Sequence, residues 1–253
     1  MKRNGMRGVA LAAGLACLAA HAGAAQAAEL KIFGSRVTKM VIGDIGAGFE
    51  QATGHRLDVV TDVAAVMKRR IEQGEAFDVA VLVDFQTDGL IKSGKLAADT
   101  RANVMKSGIG VAVRRGAPKP DISTVDAFRR TLLAAKSITY LKEGASTLHL
   151  DRVFAQLGIA DALKPKTIQP TEAVSEMVAS GEAELGIIVI PNILSVPGAE
   201  LVGPLPPEIQ SYIVFTAAVS AQSPNQQAAR DVIKLLTGAA AVQSIKAKGM
   251  EPG

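Results

Sequence analysis

Leu30-Lys31-Ile32-Phe33-Gly34-Ser35-Arg36-Val37 is the stretch on which the reading of the fold turns. Leu30 to Phe33 reads as a strand, Gly34 interrupts it, and a new pattern begins at about Val37. Val41, Ile45 and Phe49 then recur at i,i+4, which places them on one face of a helix until Gly54 ends it. The order is strand, polar turn, helix. The turn carries a hydroxyl (Ser35) and a guanidinium (Arg36), with Thr38 and Lys39 just inside the helix, where the first backbone N–H groups have no intrahelical partner.

Towards the C-terminus the alternation continues. A strand is expected over 57–60 and a helix over 64–73, with Met67 and Ile71 inward. The apolar run 77–83 suits a parallel strand buried on both faces. A β run over 108–113 leads to the breaker Gly116-Ala117-Pro118-Lys119-Pro120. A second set follows, with strands over 137–140, 167–169 and 185–189 and helices over 148–157 and 172–180. Val202-Gly203-Pro204-Leu205-Pro206-Pro207 breaks the pattern again, before a long strand over 212–220 and helices over 225–237 and 240–248. This order predicts an α/β fold in two lobes, each a mostly parallel sheet flanked by helices, with right-handed crossovers. Two interruptions predict two chain crossings: 28–108 plus 212–253 as the first lobe, 109–211 as the second.

Towards the N-terminus, Lys2, Arg3 and Arg7 precede an apolar run over 9–20, and Ala25-Gln26-Ala27 is a small-x-small cleavage pattern. Residues 1–27 are therefore expected to be a signal peptide, and the mature protein periplasmic. The apolar run is shorter than the ~20 residues a membrane span requires, so no membrane insertion is expected after its removal. The three basic residues leave with the segment and no acidic one does. Lys+Arg falls from 28 to 25 against 24 Asp+Glu, and the formal charge from +4 to +1. The basicity of the precursor is thus no argument for nucleic acid. Cys17, the one cysteine, lies in the same segment, which excludes a disulfide framework and a cysteine nucleophile from the mature chain. Trp is absent and Tyr is limited to Tyr140 and Tyr212, a poor basis for an aromatic carbohydrate platform.

Ligands of α/β sheets bind at the carboxyl ends of the strands, where helix N-termini favour anions. The candidates are accordingly the polar residues of those turns. Ser35 and Arg36 lead, since a guanidinium fork matches a carboxylate bidentately; Lys39 follows. Ala64, with Ala65, opens the second helix and leaves its N–H groups accessible, and Lys68 lies one turn on. In the second lobe, Lys142-Glu143-Gly144-Ala145-Ser146-Thr147 enters a helix. Ser146 or Thr147 serves either as its cap or as a ligand contact, and Thr171 and Glu172 pose the same choice before the next helix. His149, Pro191-Asn192 and Tyr212 are further candidates. Neither His55 nor His149 has a partner at metal-ligand spacing, and no G-x-S-x-G, P-loop or G-x-G-x-x-G occurs. No cofactor or metal is expected.

The mature chain resembles the extracellular solute-binding proteins of the periplasmic molybdate-binding type. The resemblance rests on Ile32-Phe33, Asp44-Ile45 through Phe49 and Gly54, Arg70-Ile71-Glu72-Gln73-Gly74, Phe77-Asp78-Val79, Leu157-Gly158 and Glu184-Leu185-Gly186-Ile187. It implies a type II periplasmic-binding-protein-like fold, a ligand cleft between lobes that close on a hinge, and transport through an ABC permease supplied by other chains. The chain departs from that type at its oxyanion site. Where molybdate binders place two serines and a tyrosine, this sequence has Val37, about Ala64, and Val189.

Three function classes follow. The first is capture of a small organic anion, a di- or tricarboxylate in preference to molybdate, by a monomer. The second is an enzyme on the same scaffold, because some proteins resembling this family are periplasmic aconitate isomerases. That reaction needs a base and cationic groups but no recognisable motif; His149, Lys39, Glu143 and Tyr140 are candidate bases. The third, a structural or adhesive module, is disfavoured by the two-lobe pattern.

Overall fold

A computed structural model describes residues 27–253; the expected signal segment lies outside the described residues except for Ala27. The chain runs β1 (Glu29–Gly34), α1 (Arg36–Thr53), β2 (Arg56–Thr61), α2 (Ala64–Glu72), β3 (Val79–Val83), α3 (Asp84–Lys92) and β4 (Ala102–Arg114). It continues with α4 (Val125–Ala134), β5 (Ile138–Thr139), α5 (Thr147–Gln156), α6 (Ala160–Leu163), β6 (Thr167–Ile168), α7 (Val174–Ser180) and β7 (Leu185–Val189). The last third is α8 (Ile190–Leu194), β8 (Ala199–Pro204), β9 (Tyr212–Val219), α9 (Gln226–Thr237), α10 (Ala239–Ala247) and β10 (Glu251–Pro252).

The strands follow the order β2-β1-β3-β9-β4-β7-β5-β6, with β8 and β10 also on β4. Parallel pairing joins β1 to β2 and β3, and β5 to β6 and β7. These are the strands fed by helical crossovers, and β3 and β7 are buried at every position, as strands covered on both faces must be. The remaining pairs, all involving β4 or β9, are antiparallel. β4 explains why: through Ala102–Gly108 it pairs with β9, and from Ile109 to Ala112 it pairs with β7. One strand therefore serves both lobes, and the cleft lies between them.

Local chemistry accounts for the first lobe. Gly54 caps α1 in the left-handed region (φ 74°) and donates its N–H to the Glu50 carbonyl at 2.8 Å, a backbone state that L side chains rarely adopt. Val41, Met67 and Ile71 are fully buried, whereas Ile45 and Phe49 sit partly buried at the core edge. Phe33 stacks on Phe77 with centroids 5.1 Å apart, and the Arg70 guanidinium lies 4.9 Å above the Phe33 ring. The α1 face that does not meet the sheet is tied to α10, where Asp44 accepts from Ser244 Oγ (2.6 Å) and Lys248 Nζ (2.8 Å).

Several elements have no counterpart in the sequence-based expectation. α3 begins directly after β3 with no capping side chain, and Gly89 sits in its interior. α4 does have a readable start, since the Thr124 hydroxyl accepts from the Ala127 N–H at 3.1 Å. α8 and β8 follow β7 at once, and β8 adds to β4 with a register shift between Val111 and Ala112.

Candidate functional site

A cleft of about 600 Å³ opens where five strand ends meet. β1 delivers Ser35, Arg36 and Lys39; β2 delivers Asp62, Val63 and Ala64. From the other lobe, the segment after β5 contributes Leu141, Gly144, Ala145 and Ser146. The segment after β6 contributes Thr171 to Glu176, and the one after β7 Asn192. The volume is typical of a small-molecule site.

Of the sequence candidates, Ser35, Arg36, Ala64, Ser146 and Thr171 line this cleft together, as do Lys39, Glu172 and Asn192. Lys68 and Thr147 do not. The Lys68 ammonium pairs with Glu72, i,i+4 along α2, at 2.5 Å. Thr147 is consumed locally: its hydroxyl donates to the Leu141 carbonyl and accepts from the Gly144 N–H, both at 2.8 Å, which fixes the turn before α5. Ser146 occupies the N-cap position without making a capping bond, so its hydroxyl is left for the cleft. His149 is bound at 2.8 Å to the Ile209 carbonyl and does not line the cleft. Tyr212 is 54% exposed and lies under Lys106 at 5.4 Å; Phe215 of the same strand reaches the cleft instead.

Arg36 and Lys39 face Asp62, Glu172 and Glu176 in the lining. Arg36 Nη1 donates to Glu176 Oε1 at 2.5 Å across the cleft. Both side chains are 41% exposed, so the pair contributes at most about 1 kcal/mol. A second ion pair spans the lobes nearby, Arg69 to Glu143 at 2.8 Å, and this hydrogen bond holds the Glu143 carboxyl below its ordinary range.

Sequence reasoning did not single out Ser175 and Glu176. The structure does so through hydrogen bonding. Among the described residues, seven buried side-chain polar atoms lack a partner, and four belong to cleft-lining residues: Ser35 Oγ, Ser175 Oγ, Glu176 Oε2 and Asn192 Oδ1. Unpaired buried polar atoms each cost about 1–3 kcal/mol; of these four the two hydroxyls can donate to an anionic ligand, whereas Glu176 Oε2 and Asn192 Oδ1 only accept. Backbone strain sits at the same place. Ala173, directly before α7, is the one non-glycine among the described residues with positive φ (68°), a state that costs a side-chain-bearing residue about 1–2 kcal/mol. No signal of residue type marked this segment beyond Thr171-Glu172. Among the described residues, no three His, Cys, Asp or Glu side chains group to hold a metal ion, and no helix is long and apolar enough to cross a membrane.

A family model described as "Bacterial extracellular solute-binding protein" matches residues 30–251. The chain belongs to this family. The family places such proteins in the periplasm or outside the cell. Among its relatives, an aconitate isomerase of Pseudomonas sp is 35% identical over 219 residues, covering 83% of each chain. The molybdate-binding protein ModA of Azotobacter vinelandii is 27% identical over 253 residues, covering 95% of each. Among solved structures, the Azotobacter vinelandii periplasmic molybdate-binding protein superposes with a TM-score of 0.74 at 19% identity, over 88% of this chain and 99% of that one. The sulfate-binding protein SubI from Mycobacterium tuberculosis gives 0.73 at 17%, over 89% and 87%. These likenesses show the fold, a type II periplasmic-binding-protein architecture. The solute-binding family accounts for the two lobes and the cleft, and leaves the ligand to the residues that line it.

Proposed function

We propose that this solute-binding protein captures a small organic anion with two or three carboxylates, between a lobe of residues 28–108 plus 212–253 and a lobe of 109–211, for delivery to an ABC-type permease. The observation that carries this reading is the engagement of Arg36. Its guanidinium already holds a carboxylate in the cleft, that of Glu176, at 2.5 Å. A ligand carboxylate takes the same fork, while Ser35 and Ser175 supply neutral donors and the first turns of α1 and α2 supply free N–H groups. Val37, Ala64 and Val189, at the places where molybdate binders carry hydroxyls, weigh against that oxyanion. Isothermal titration with trans-aconitate, citrate and succinate beside molybdate and sulfate tests the reading. Tricarboxylate is expected to bind at least tenfold more tightly than sulfate. Arg36→Gln is expected to weaken it by about 1.5–3 kcal/mol, the scale of a charge-assisted bond, or roughly ten- to 150-fold. Binding of the inorganic oxyanions alone refutes it.

A second reading, isomerisation of aconitate in the same cleft, is favoured by the relative at 35% identity and by the unpartnered carboxylate oxygen of Glu176. Incubation of the purified protein with trans-aconitate, followed by proton NMR, decides it: unchanged substrate leaves capture alone.

A further inference from the structure

We propose that Glu176 is the proton carrier of this cleft, moving one hydrogen between the two allylic carbons of an unsaturated tricarboxylate. The inference rests on the isomerase reading and names the group that performs it. Four side chains could be suggested as bases from sequence, and the structure removes three from the site. His149 is held by the Ile209 carbonyl outside the cleft lining. The Tyr140 hydroxyl donates to Asp151 at 3.0 Å, and burial, with the Asp151 hydrogen bond second, pushes its phenol well above the ordinary range. Glu143 is bound to Arg69 and lies outside the lining. Lys39 does line the cleft, but its side chain is exposed and it serves better as a cation for a carboxylate.

Among the carboxylates that line the cleft, Asp62 and Glu172 are exposed, and Asp62 Oδ1 is engaged by the Val63 N–H at 2.7 Å. The Glu176 side chain is 41% exposed as a whole and differs from both at its two oxygens. One of its oxygens is bound to Arg36 and the other is buried and unpartnered. Its position is also fixed from behind. The strained Ala173 sets the start of α7, and Gly186 of β7 lets Val178 and Val174 approach so closely that an added Cβ would lie 2.7 and 3.3 Å from them.

The chemistry balances with this one group. Glu176 Oε2 takes a proton from the substrate methylene; the released C–H electron pair forms a new double bond to the central carbon. The old double-bond pair moves to the former vinylic carbon, and the proton on Glu176 returns there. No oxidant, reductant or second base is required, and the product is the isomer with the double bond shifted. When a substrate carboxylate enters, it replaces Glu176 on Arg36. The displaced carboxylate then lies beside the substrate, and Arg36 with the Ser35 and Ser175 hydroxyls stabilises the negative charge spread over the allyl system and its carboxylates.

Proton NMR with trans-aconitate in D2O, with calorimetry for binding, tests the assignment. Wild type is expected to convert the substrate, with deuterium entering the product to the extent that the proton on Glu176 exchanges with solvent before it returns. Glu176→Gln is expected to lose turnover at least about 100-fold, the range for removal of a general base, with affinity within about fivefold. Glu176→Ala with added formate is expected to regain part of the turnover, which a structural role for the side chain does not allow. A Glu176→Gln protein with more than a tenth of wild-type turnover, or no formate rescue of Glu176→Ala, overturns the role of Glu176 and leaves the isomerase reading standing. A wild type that binds trans-aconitate without converting it removes the isomerase reading and this proposal with it. Should Glu176→Gln fail to fold, the formate rescue and Glu176→Asp decide; Glu176→Asp is expected to keep reduced turnover, and loss of turnover equal to Ala with no rescue refutes the carrier.

Discussion

Replacing Gly186 by Ala tests how firmly the cleft floor is built. Gly186, the second residue of fully buried β7, pairs with Ala112 of β4, and Val174 and Val178 of α7 pack over it. An added Cβ would meet Val178 Cγ2 at 2.7 Å and Val174 Cγ1 at 3.3 Å. Carbon atoms rest about 3.5–4.0 Å apart, so α7 must retreat by roughly 1 Å. Overpacking of this kind costs about 1–3 kcal/mol. Replacing a strand glycine returns about 0.5–1 kcal/mol through the unfolded chain, leaving a net loss of up to about 2.5 kcal/mol. At about 2–4 °C per kcal/mol for a chain of this size, Tm falls by several degrees in thermal unfolding. Because α7 carries Ser175 and Glu176, ligand affinity falls as well. Val178→Ala makes room for the methyl, so the double variant is expected to be more stable than the sum of the single effects by at least about 0.5 kcal/mol. A Tm equal to or above wild type for Gly186→Ala, or strict additivity with Val178→Ala, refutes the close approach on which the reasoning depends.

Ala173→Gly relieves the positive φ before α7, and urea denaturation is expected to show a gain of roughly 0.5–1 kcal/mol; a loss contradicts the strain. The interlobe pairs Arg36–Glu176 and Arg69–Glu143 are about half exposed and therefore screened, with the Debye length falling from about 10 Å at 0.1 M to 3 Å at 1 M salt. The radius of gyration of the ligand-free protein by small-angle scattering is expected to rise with salt, and Glu143→Gln to raise it at low salt; a constant radius rules out ionic strapping. Asp44 is held below its ordinary pKa by the Lys248 hydrogen bond first and Ser244 second. Glu200, bound by Lys119, and Glu75, bound by Arg70, shift the same way. A lowered folded-state pKa means that the unfolded chain binds more protons in this window. The stabilisation is present above about pH 4 and is lost as pH falls through the folded values. Denaturant titrations from pH 6 to 3 are expected to show this slope, shallower in Asp44→Asn; an identical slope in that variant removes Asp44 from the account.

What the sequence determined by itself is the local grammar. The Ile32-Phe33 strand, the i,i+4 face ended by Gly54 and the apolar run 185–189 have periods set by backbone geometry, which neighbours in sequence reveal. The same grammar put Ser35, Arg36, Ala64, Ser146 and Thr171 at strand ends, and the fold brings strand ends together. It could not separate these from Lys68 and Thr147. Lys68 lies one turn, about 6 Å, further along α2 from Ala64, where Glu72 takes its ammonium, and a backbone carbonyl of its own turn claims Thr147. Nor could it find Ser175 and Glu176, whose significance is that hydrogen-bonding atoms are buried without partners, a property of the packed molecule. The double membership of β4 was hidden for a similar reason: antiparallel pairing with β9 and β7 is a contact between distant segments, and no local pattern encodes it. Residue order thus fixed which groups stand at the strand ends. Tertiary packing decided which of them face one another across the cleft, because burial and pairing depend on what the rest of the chain brings alongside.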